Sequence, residues 1–501
     1  MENLLAGIDM GTQSIKVVLY DPIKKQIVAE AGEHLDLIAD HDGTREQKTE
    51  WYDQCLQKCF DALDGKLKSR ISAIGVSGHQ HGFVPLDKDA KPLYNVKLWN
   101  DTSTTEECAI ITKAAGGDNA VIEEVCNLML PGFTAPKVLW LKRNKSEAFA
   151  KLHYVMLPHN YLNFLFTGAY NAEAGDASGT AFFNGKTGKW SNSICDIIDE
   201  ELFSLLPPII PQDAPNGFVN EAAAKKYGIP VGALVSSGGG DNMMGAIGTG
   251  CVSDGFLTMS LGTSGTLFAH SNNPLSDPKN GLSGFCASVT VDGKSGYLPL
   301  LCTMNCTVAS EETRALFNCS AAELSGMAEK SSPGSEGVVY LPFFNGERTP
   351  NLPHGKASIM GLTAANCKRE NIARAALESA IFGMRLGLEA FNAKGFKARE
   401  IRIIGGGSKS PVWRQIAADI MNLPVKKPLS SESGALGGAL QALWCLQAYK
   451  GEPVSIEAIC AEHIIMSNDE CAVPNPKNVE LYNKAYSLYN SYLNALKPLY
   501  E

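Results

Sequence analysis

One short pattern occurs twice in this chain, near the start of each half, and it restricts the fold more than any other feature. Residues 6–20 read Ala-Gly-Ile-Asp-Met-Gly-Thr-Gln-Ser-Ile-Lys-Val-Val-Leu-Tyr. An apolar run ends at Asp9, a polar turn follows at Gly11-Thr12-Gln13-Ser14, and a β-branched run leads away. This is the signature of strand, tight turn, strand. Residues 257–269 repeat it, with Gly262-Thr263-Ser264 at the turn. Thr12 and Thr263 lie 251 positions apart in 501 residues. A repeat at half the chain length predicts two similar domains. Length agrees, because a single core stops growing near ~250–300 residues. The border is expected after Gly248, giving units 1–248 and 249–501.

A single copy is explained equally well as a plain β-hairpin. Two copies favour a pair of clamps closing on one ligand from opposite sides. Gly11 lets backbone N–H groups approach a phosphate, and Thr12 adds a hydroxyl. Asp9, at the strand end, is placed to hold Mg²⁺ directly or through water. The full phosphate-loop motif, Gly-x-x-x-x-Gly-Lys-Ser/Thr, is absent from the sequence. The paired turns resemble those of the actin, hexokinase and heat-shock ATPase superfamily. That resemblance implies an α/β fold of two actin-like, ribonuclease H-like ATPase domains around a cleft.

Composition narrows the partners. A net charge of −9 and a pI near 5.6 argue against nucleic acid. No apolar run approaches the ~18 residues that span a membrane, and Asp9 interrupts the short apolar start. The 14 cysteines are scattered, without Cys-x-x-Cys or Cys/His clusters. They are expected to be reduced, mostly buried thiols of a cytoplasmic protein. The expected partner is a small molecule, and a homodimer is allowed by the sequence without being read from it.

Along the chain, strands are expected at 3–9, 15–21, 26–31 and 71–77, with a loop over 39–50 and a helix from Trp51 to about Leu67. Strands and helices alternate thereafter. Ser410 fits an N-cap and Pro411 the first helical position. A Gly- and Ala-rich helix is expected from about Gly434 to Tyr449, built for close packing. Tyr482, Tyr486, Tyr489, Leu493 and Leu496 recur at helical spacing and are expected to face a core.

Three polar strand ends carry chemistry. Gly238-Gly-Gly-Asp241-Asn242 follows the strand Ala233-Leu-Val-Ser-Ser. Glycines there let a ligand approach the backbone, and a carboxylate there faces a cleft. Asp241 is the candidate general base, with a helix N-cap as the structural alternative. Gly78-His-Gln-His-Gly82 offers Gln80 and His81 to hydroxyl groups. Leu98-Trp-Asn-Asp101 offers Trp99 as a wall and Asn100 and Asp101 as hydroxyl ligands.

With Pro131-Gly-Phe-Thr-Ala-Pro-Lys137, Asp176-Ala-Ser-Gly-Thr180, Gly346-Glu-Arg-Thr-Pro350 and Gly405-Gly-Gly407, these motifs make the chain similar to the FGGY carbohydrate kinases from about residue 4 to 497. The resemblance implies phosphorylation of a sugar by ATP and Mg²⁺. It implies Asp241 as base, with Gln80, His81, Asp101 and Asn242 as sugar contacts. It assigns Thr12 and Gln13 to the first phosphate loop, with Asp9 at the metal, Gly262 and Thr263 to the second, and Gly406 and Gly407 to the adenosine site. Trp-Asn-Asp together with Pro-Gly-Phe-Thr-Ala-Pro-Lys points to the branch acting on the terminal hydroxyl of a ketopentose, D-xylulose. Ribulose, sedoheptulose and glycerol are the alternatives within the family, and an actin-like ATPase without a sugar is the alternative outside it. Two departures stand out. His79 replaces the family's usual Gln, and Leu157-Pro-His159-Asn160-Tyr-Leu162 stands where bacterial members often carry Pro-Lys-Asp-Tyr-Leu. Both bear on the choice of sugar and not on phosphotransfer.

Overall fold

The computed structural model describes residues 3–291 and 294–500. Its first sheet takes β1 (Leu4–Met10), β2 (Ser14–Asp21), β3 (Gln26–His34), β4 (Ile71–Gly78), β5 (Pro215–Phe218) and β6 (Leu234–Ser236), in the order β5-β6-β4-β1-β2-β3. The two-residue strand β7 (Gly239–Gly240) also pairs with β4. The second sheet takes β8 (Phe256–Leu261), β9 (Gly265–Ala269), β10 (Leu282–Val291), β11 (Lys294–Thr303), β12 (Glu400–Ile404) and β13 (Val425–Lys426), ordered β10-β11-β9-β8-β12-β13.

The duplication is visible in the pairing. In the first sheet β1 is antiparallel to β2 and parallel to β4, which is parallel to β6. In the second, β8 is antiparallel to β9 and parallel to β12, which is parallel to β13. β10 extends the second sheet on its antiparallel side. In the first sheet the central parallel strands β1 and β4 are nearly continuous buried runs, as helix-covered strands must be, whereas β12 alternates buried isoleucines with half-buried Glu400 and Arg402.

The helices used below are α1 (Thr49–Ala62), α2 (Thr134–Asn144), α3 (Asp241–Thr249), α4 (Arg369–Ala393), α5 (Pro411–Met421), α6 (Ser433–Tyr449) and α7 (Pro476–Leu496). The helix expected to reach Leu67 ends at Ala62. Asp64 restarts a short turn, Gly65–Lys68, by accepting the N–H groups of Lys66 and Leu67. The expected loop over 39–50 contains the paired strands Ile38–Ala39 and Arg45–Gln47. Ser410 caps α5 through the Trp413 N–H at 3.3 Å, with Pro411 at the first helical position. On α7, Tyr482, Tyr486, Tyr489 and Leu493 are buried against α4, and Leu496 packs at the edge of the same core.

Helix α6 belongs to the second half in sequence but packs on the first sheet. A Cβ built on Gly7 would lie 1.8 Å from the Ala435 carbonyl oxygen, and one on Gly75 1.9 Å from that of Gly438. Against α3, a Cβ on Gly437 would lie 1.9 Å from the Met244 carbonyl oxygen. Glycine at these contacts brings backbone onto backbone. Leu436, Ala439 and Leu440 share one buried core with Met243, Ile247 and Ala73. The border expected after Gly248 falls in the last turn of α3, and α6 packs across it in space. All 14 cysteines are unpaired. Among the described residues, no helix is long and apolar enough to cross a membrane.

Candidate active site

The C-terminal ends of β1, β4 and β7 meet at one edge of the first sheet, where parallel strands leave a crevice. Asp9 pairs with Ser77, and Gly240 with Gly78, so the segments that follow emerge side by side. The cleft beside them encloses about 540 Å³. Thr12, Gln80, His81, Trp99, Asp241 and Asn242 line it from the first half, and Ser264, Thr266, Phe285 and Arg348 from the second.

Asp241 opens α3. Gly240, not Asp241, is the N-cap. The Asp241 carboxylate accepts the Asn242 backbone N–H at 2.8 Å and the Asn242 side-chain N–H at 3.0 Å, both on Oδ1. Burial, and then the nearby Asp9 carboxylate, push its pKa up to about 7. Both causes disfavour the charged form. Asn242 also donates to Gln80 Oε1 at 2.7 Å, tying Asp241 to the strand end that carries Gln80. Gln80 packs where a side chain on Gly240 would stand, with its Cγ 2.6 Å from that Cβ position. The Gln80 amide nitrogen has no hydrogen-bond partner among the described residues.

His81 adopts a left-handed backbone, φ 63°, which a non-glycine residue holds only under restraint. The restraint is visible. Its carbonyl oxygen accepts from the Lys137 ammonium at 2.7 Å and the Thr134 hydroxyl at 3.2 Å. Its ring lies 4.8 Å from the Phe133 ring and 5.4 Å from that of Phe285, across the halves. Burial, and then Lys137, hold His81 well below the ordinary imidazole range, so it is neutral. Lys137 is fully buried, and burial lowers its own pKa to about 7.

The two Gly-Thr turns, candidate phosphate sites, are anchored from behind. In the first, Thr12 O accepts from Gln47 Nε2 at 2.8 Å and Gln13 O from the Leu35 N–H at 2.8 Å. In the second, Gly262 O accepts from the Thr307 N–H at 3.1 Å and Thr263 O from the Cys306 N–H at 3.0 Å. With these carbonyls engaged, and the Gly11 N–H donated to Ser14 O at 3.0 Å, the remaining N–H groups and hydroxyls of each turn are the donors that a phosphate would meet. Thr12 and Ser264 line the cavity, while Gln13, Thr263 and Gly406 are exposed to solvent. Gly405, at the end of β12, is packed against the Leu261 backbone that leads into the second turn. Gly407 is buried against Leu261 and Trp413. Asp9 accepts the Ser77 hydroxyl at 2.6 Å, and burial raises its pKa.

Asp101 corrects the reading of its motif. It does not line the cavity, and its side chain is fully buried. Its Oδ2 accepts from the Arg45 N–H at 2.8 Å and the Lys97 ammonium at 3.2 Å, and its Oδ1 from the Ser103 N–H at 3.0 Å. Lys97 also pairs with Glu46 at 2.9 Å. A buried ammonium needs carboxylate partners, and Asp101 is one of them. His79, His159 and Asn160 are also buried and outside the cavity wall. His159 Nδ1 bonds Asp176 at 2.8 Å and its Nε2 bonds Asn160 at 2.8 Å. These departures from the family pattern sit behind the pocket.

Sequence reasoning assigned no role to Phe133, Phe285, Thr266 or Arg348. Arg348, within the quoted Gly-Glu-Arg-Thr-Pro motif, is the one Arg or Lys among the residues lining the cavity. The adjacent Glu347 is turned inward, accepting the Met304 and Arg348 N–H groups at 2.6 and 2.8 Å.

The model of the FGGY family of carbohydrate kinases, N-terminal domain, matches residues 4–248, and that of the C-terminal domain matches 257–446. A xylulose kinase of Haemophilus influenzae is 40% identical over 98% of this chain and 99% of its own. The crystal structure of a xyloylose kinase from Brucella ovis superposes with a TM-score of 0.91 at 28% identity, covering 99% of this chain and 100% of that one. That of a gluconate kinase from Lactobacillus acidophilus does so with a TM-score of 0.90 at 26% identity, covering 99% of each. The two family-model matches, the relative at 40% identity and the two-domain, actin-like ATPase fold thus place this ATP-dependent sugar kinase in the FGGY family of carbohydrate kinases.

Proposed function

We propose that the protein phosphorylates the terminal hydroxyl of D-xylulose with ATP, giving D-xylulose 5-phosphate and ADP, with Asp241 as general base. The observation that carries the mechanism is Asp241 itself. It is a carboxylate with a raised pKa at the cleft edge, hydrogen-bonded through Asn242 to Gln80. The sugar hydroxyl attacks the γ-phosphorus, the bond from that phosphorus to the bridging oxygen breaks, and Asp241 accepts the hydroxyl proton. Phosphoryl transfer has a loose transition state, so positioning counts for more than base strength. Asn242 fixes the carboxylate, while Gln80 and neutral His81 bind sugar hydroxyls. The turns at Thr12–Gln13 and Gly262–Thr263 hold phosphates, and the nucleoside runs past Gly406 and Gly407.

Mg²⁺ fits beside Asp9. That carboxylate is disfavoured as an anion by burial, and a cation relieves this. No group of three His, Cys, Asp or Glu side chains among the described residues could hold a metal alone. Asp9, together with water and the nucleotide phosphates, would hold the ion, as suits Mg²⁺. When bound, the ion neutralises charge developing on the phosphate oxygens. The choice of D-xylulose is supported by the full-length relative at 40% identity, which is named for that sugar. Phosphorus NMR of the product formed from ATP and D-xylulose tests the proposal. A 5-phosphate ester supports it, and a different regiochemistry or no ester overturns it.

A further inference from the structure

The wall of the pocket and the first phosphate turn are joined by one hydrogen bond. Trp99 lines the cavity, and its indole N–H donates to Thr12 Oγ1 at 2.9 Å, across 87 residues of chain. An indole nitrogen is only a donor, so Thr12 must accept. Its own O–H proton then points elsewhere, and a phosphate oxygen seated in the turn is an acceptor for it. The hydroxyl that would contact the nucleotide is thereby oriented by a ring that would contact the sugar.

Trp99 is well braced for this. The Leu98 N–H before it donates to Arg45 O at 2.9 Å, and the Asp101 N–H after it to Leu98 O at 3.1 Å. The buried Asp101 carboxylate holds the same corner through Arg45. A Cβ on Gly132 would lie 2.3 Å from the Trp99 carbonyl oxygen, so the segment carrying Phe133 is pressed against it.

A second arm runs from the turn to the sugar strand end, and its polarity can be worked out. Gln47 Nε2 donates to Thr12 O at 2.8 Å and to Asp36 O at 2.9 Å. Its Oε1 must then accept, and the Tyr52 hydroxyl donates to it at 2.9 Å. The Tyr52 oxygen is left to accept from His79 Nε2 at 3.2 Å. His79 is therefore the Nε2–H tautomer and adjoins Gln80. The residue that departs from the family's usual Gln is the end of this arm.

We propose that Trp99 is a positioning residue that links the two substrate sites, so that sugar and nucleotide each tighten the binding of the other through the Trp99–Thr12 hydrogen bond; this rests on the sugar-kinase reading above. Coupling between sites is reciprocal and commonly amounts to ~5–150-fold in affinity. Calorimetric titration of ADP, with and without saturating D-xylulose, measures it in the parent, Trp99→Phe, Thr12→Val and the double variant. The sugar is expected to tighten ADP at least ~5-fold in the parent. In each single variant that effect should fall below about twofold, with no further loss in the double, because both remove the same bond. Thr12→Ser, which keeps the hydroxyl, should retain the effect. A merely thinner wall in Trp99→Phe would weaken sugar binding yet leave the sugar's effect on ADP intact. Parental coupling in either single variant, multiplying losses in the double, or no coupling in the parent each overturns the inference. If Trp99→Phe does not fold, the near-isosteric Thr12→Val breaks the bond from the other end. Turnover of D-xylulose by the parent separates the two claims. Turnover without coupling ends this inference alone, and absent turnover ends the functional reading.

Discussion

Asp241 is held by two N–H groups on one oxygen while its neighbourhood resists its charge. Asp241→Asn keeps size and most hydrogen bonding but cannot take a proton. Loss of a general base costs ~10²–10⁴-fold in rate, so kcat in a coupled ADP assay should fall by that factor while ADP affinity stays near the parent's. The raised pKa has two further consequences. The kcat/KM for the sugar should rise with pH through about 7 in the parent, as Asp241 loses its proton. For stability, the folded carboxyl holds its proton more tightly than the unfolded one, whose pKa is about 3.9. Its contribution to stability therefore falls as pH rises from about 4 to about 7. Asp241→Asn removes this loss, so its melting temperature should exceed the parent's at pH 8 and match it near pH 4. Equal melting temperatures at both would show that burial of Asp241 carries no penalty. These residues were legible in the sequence because Asp241, Asn242, Gln80 and His81 follow strand ends, where side chains turn into a crevice. Asp101 was misread because polarity at a strand end looks the same whether it serves a ligand or, as here, the buried Lys97 ammonium. Phe285 and Arg348 were not legible as site residues, since only the folded chain brings them beside His81.

At the scale of elements, the two hairpins are equivalent by topology and by how their carbonyls are anchored. Thr12→Val and Thr263→Val each remove a hydroxyl from one turn. Each should weaken ADP or an ATP analogue by ~1–3 kcal/mol where a phosphate acceptor is left unpaired. Parental affinity for both nucleotides in both variants would break the equivalence. Helix α6 makes a different prediction. A methyl on Gly7 meets the Ala435 carbonyl oxygen, whereas Gly326, inside the helix Ala321–Glu329, has nothing within 4 Å of its Cβ position. Gly7→Ala should destabilise by ~1–3 kcal/mol or more, and Gly326→Ala should stabilise by ~0.5–1 kcal/mol, both read from urea melts. The Gly and Ala content of α6 announced close packing. Which sheet it packs against was not legible, because that is settled by Gly7 and Gly75, more than 350 positions away in the chain. The break between α1 and Gly65–Lys68 was likewise hidden, since an Asp-Gly pair inside an apolar helical pattern only acts as a cap once the chain has turned.

At the scale of the molecule, two copies of one topology supply one Gly-Thr turn each, and β10 carries Phe285 across to His81. The result is a single cleft with Gln80 and His81, the candidate hydroxyl ligands, from the first half, the Arg348 cation from the second, and the candidate base at the junction. The architecture was legible because a duplicated turn, a length of two cores and alternating elements all require it. The sugar was not legible, because the departures at His79, His159 and Asn160 lie behind the pocket and act on it only through neighbours. A site built to hydrogen-bond several hydroxyls discriminates strongly against an analogue that leaves those groups unpaired. The most direct test of the account is therefore kcat/KM for D-xylulose, ribulose, sedoheptulose, gluconate and glycerol, measured side by side in one coupled ADP assay. The account predicts that D-xylulose is used best and that glycerol, with fewer hydroxyls, is used least. A higher kcat/KM for glycerol or gluconate than for D-xylulose would contradict it.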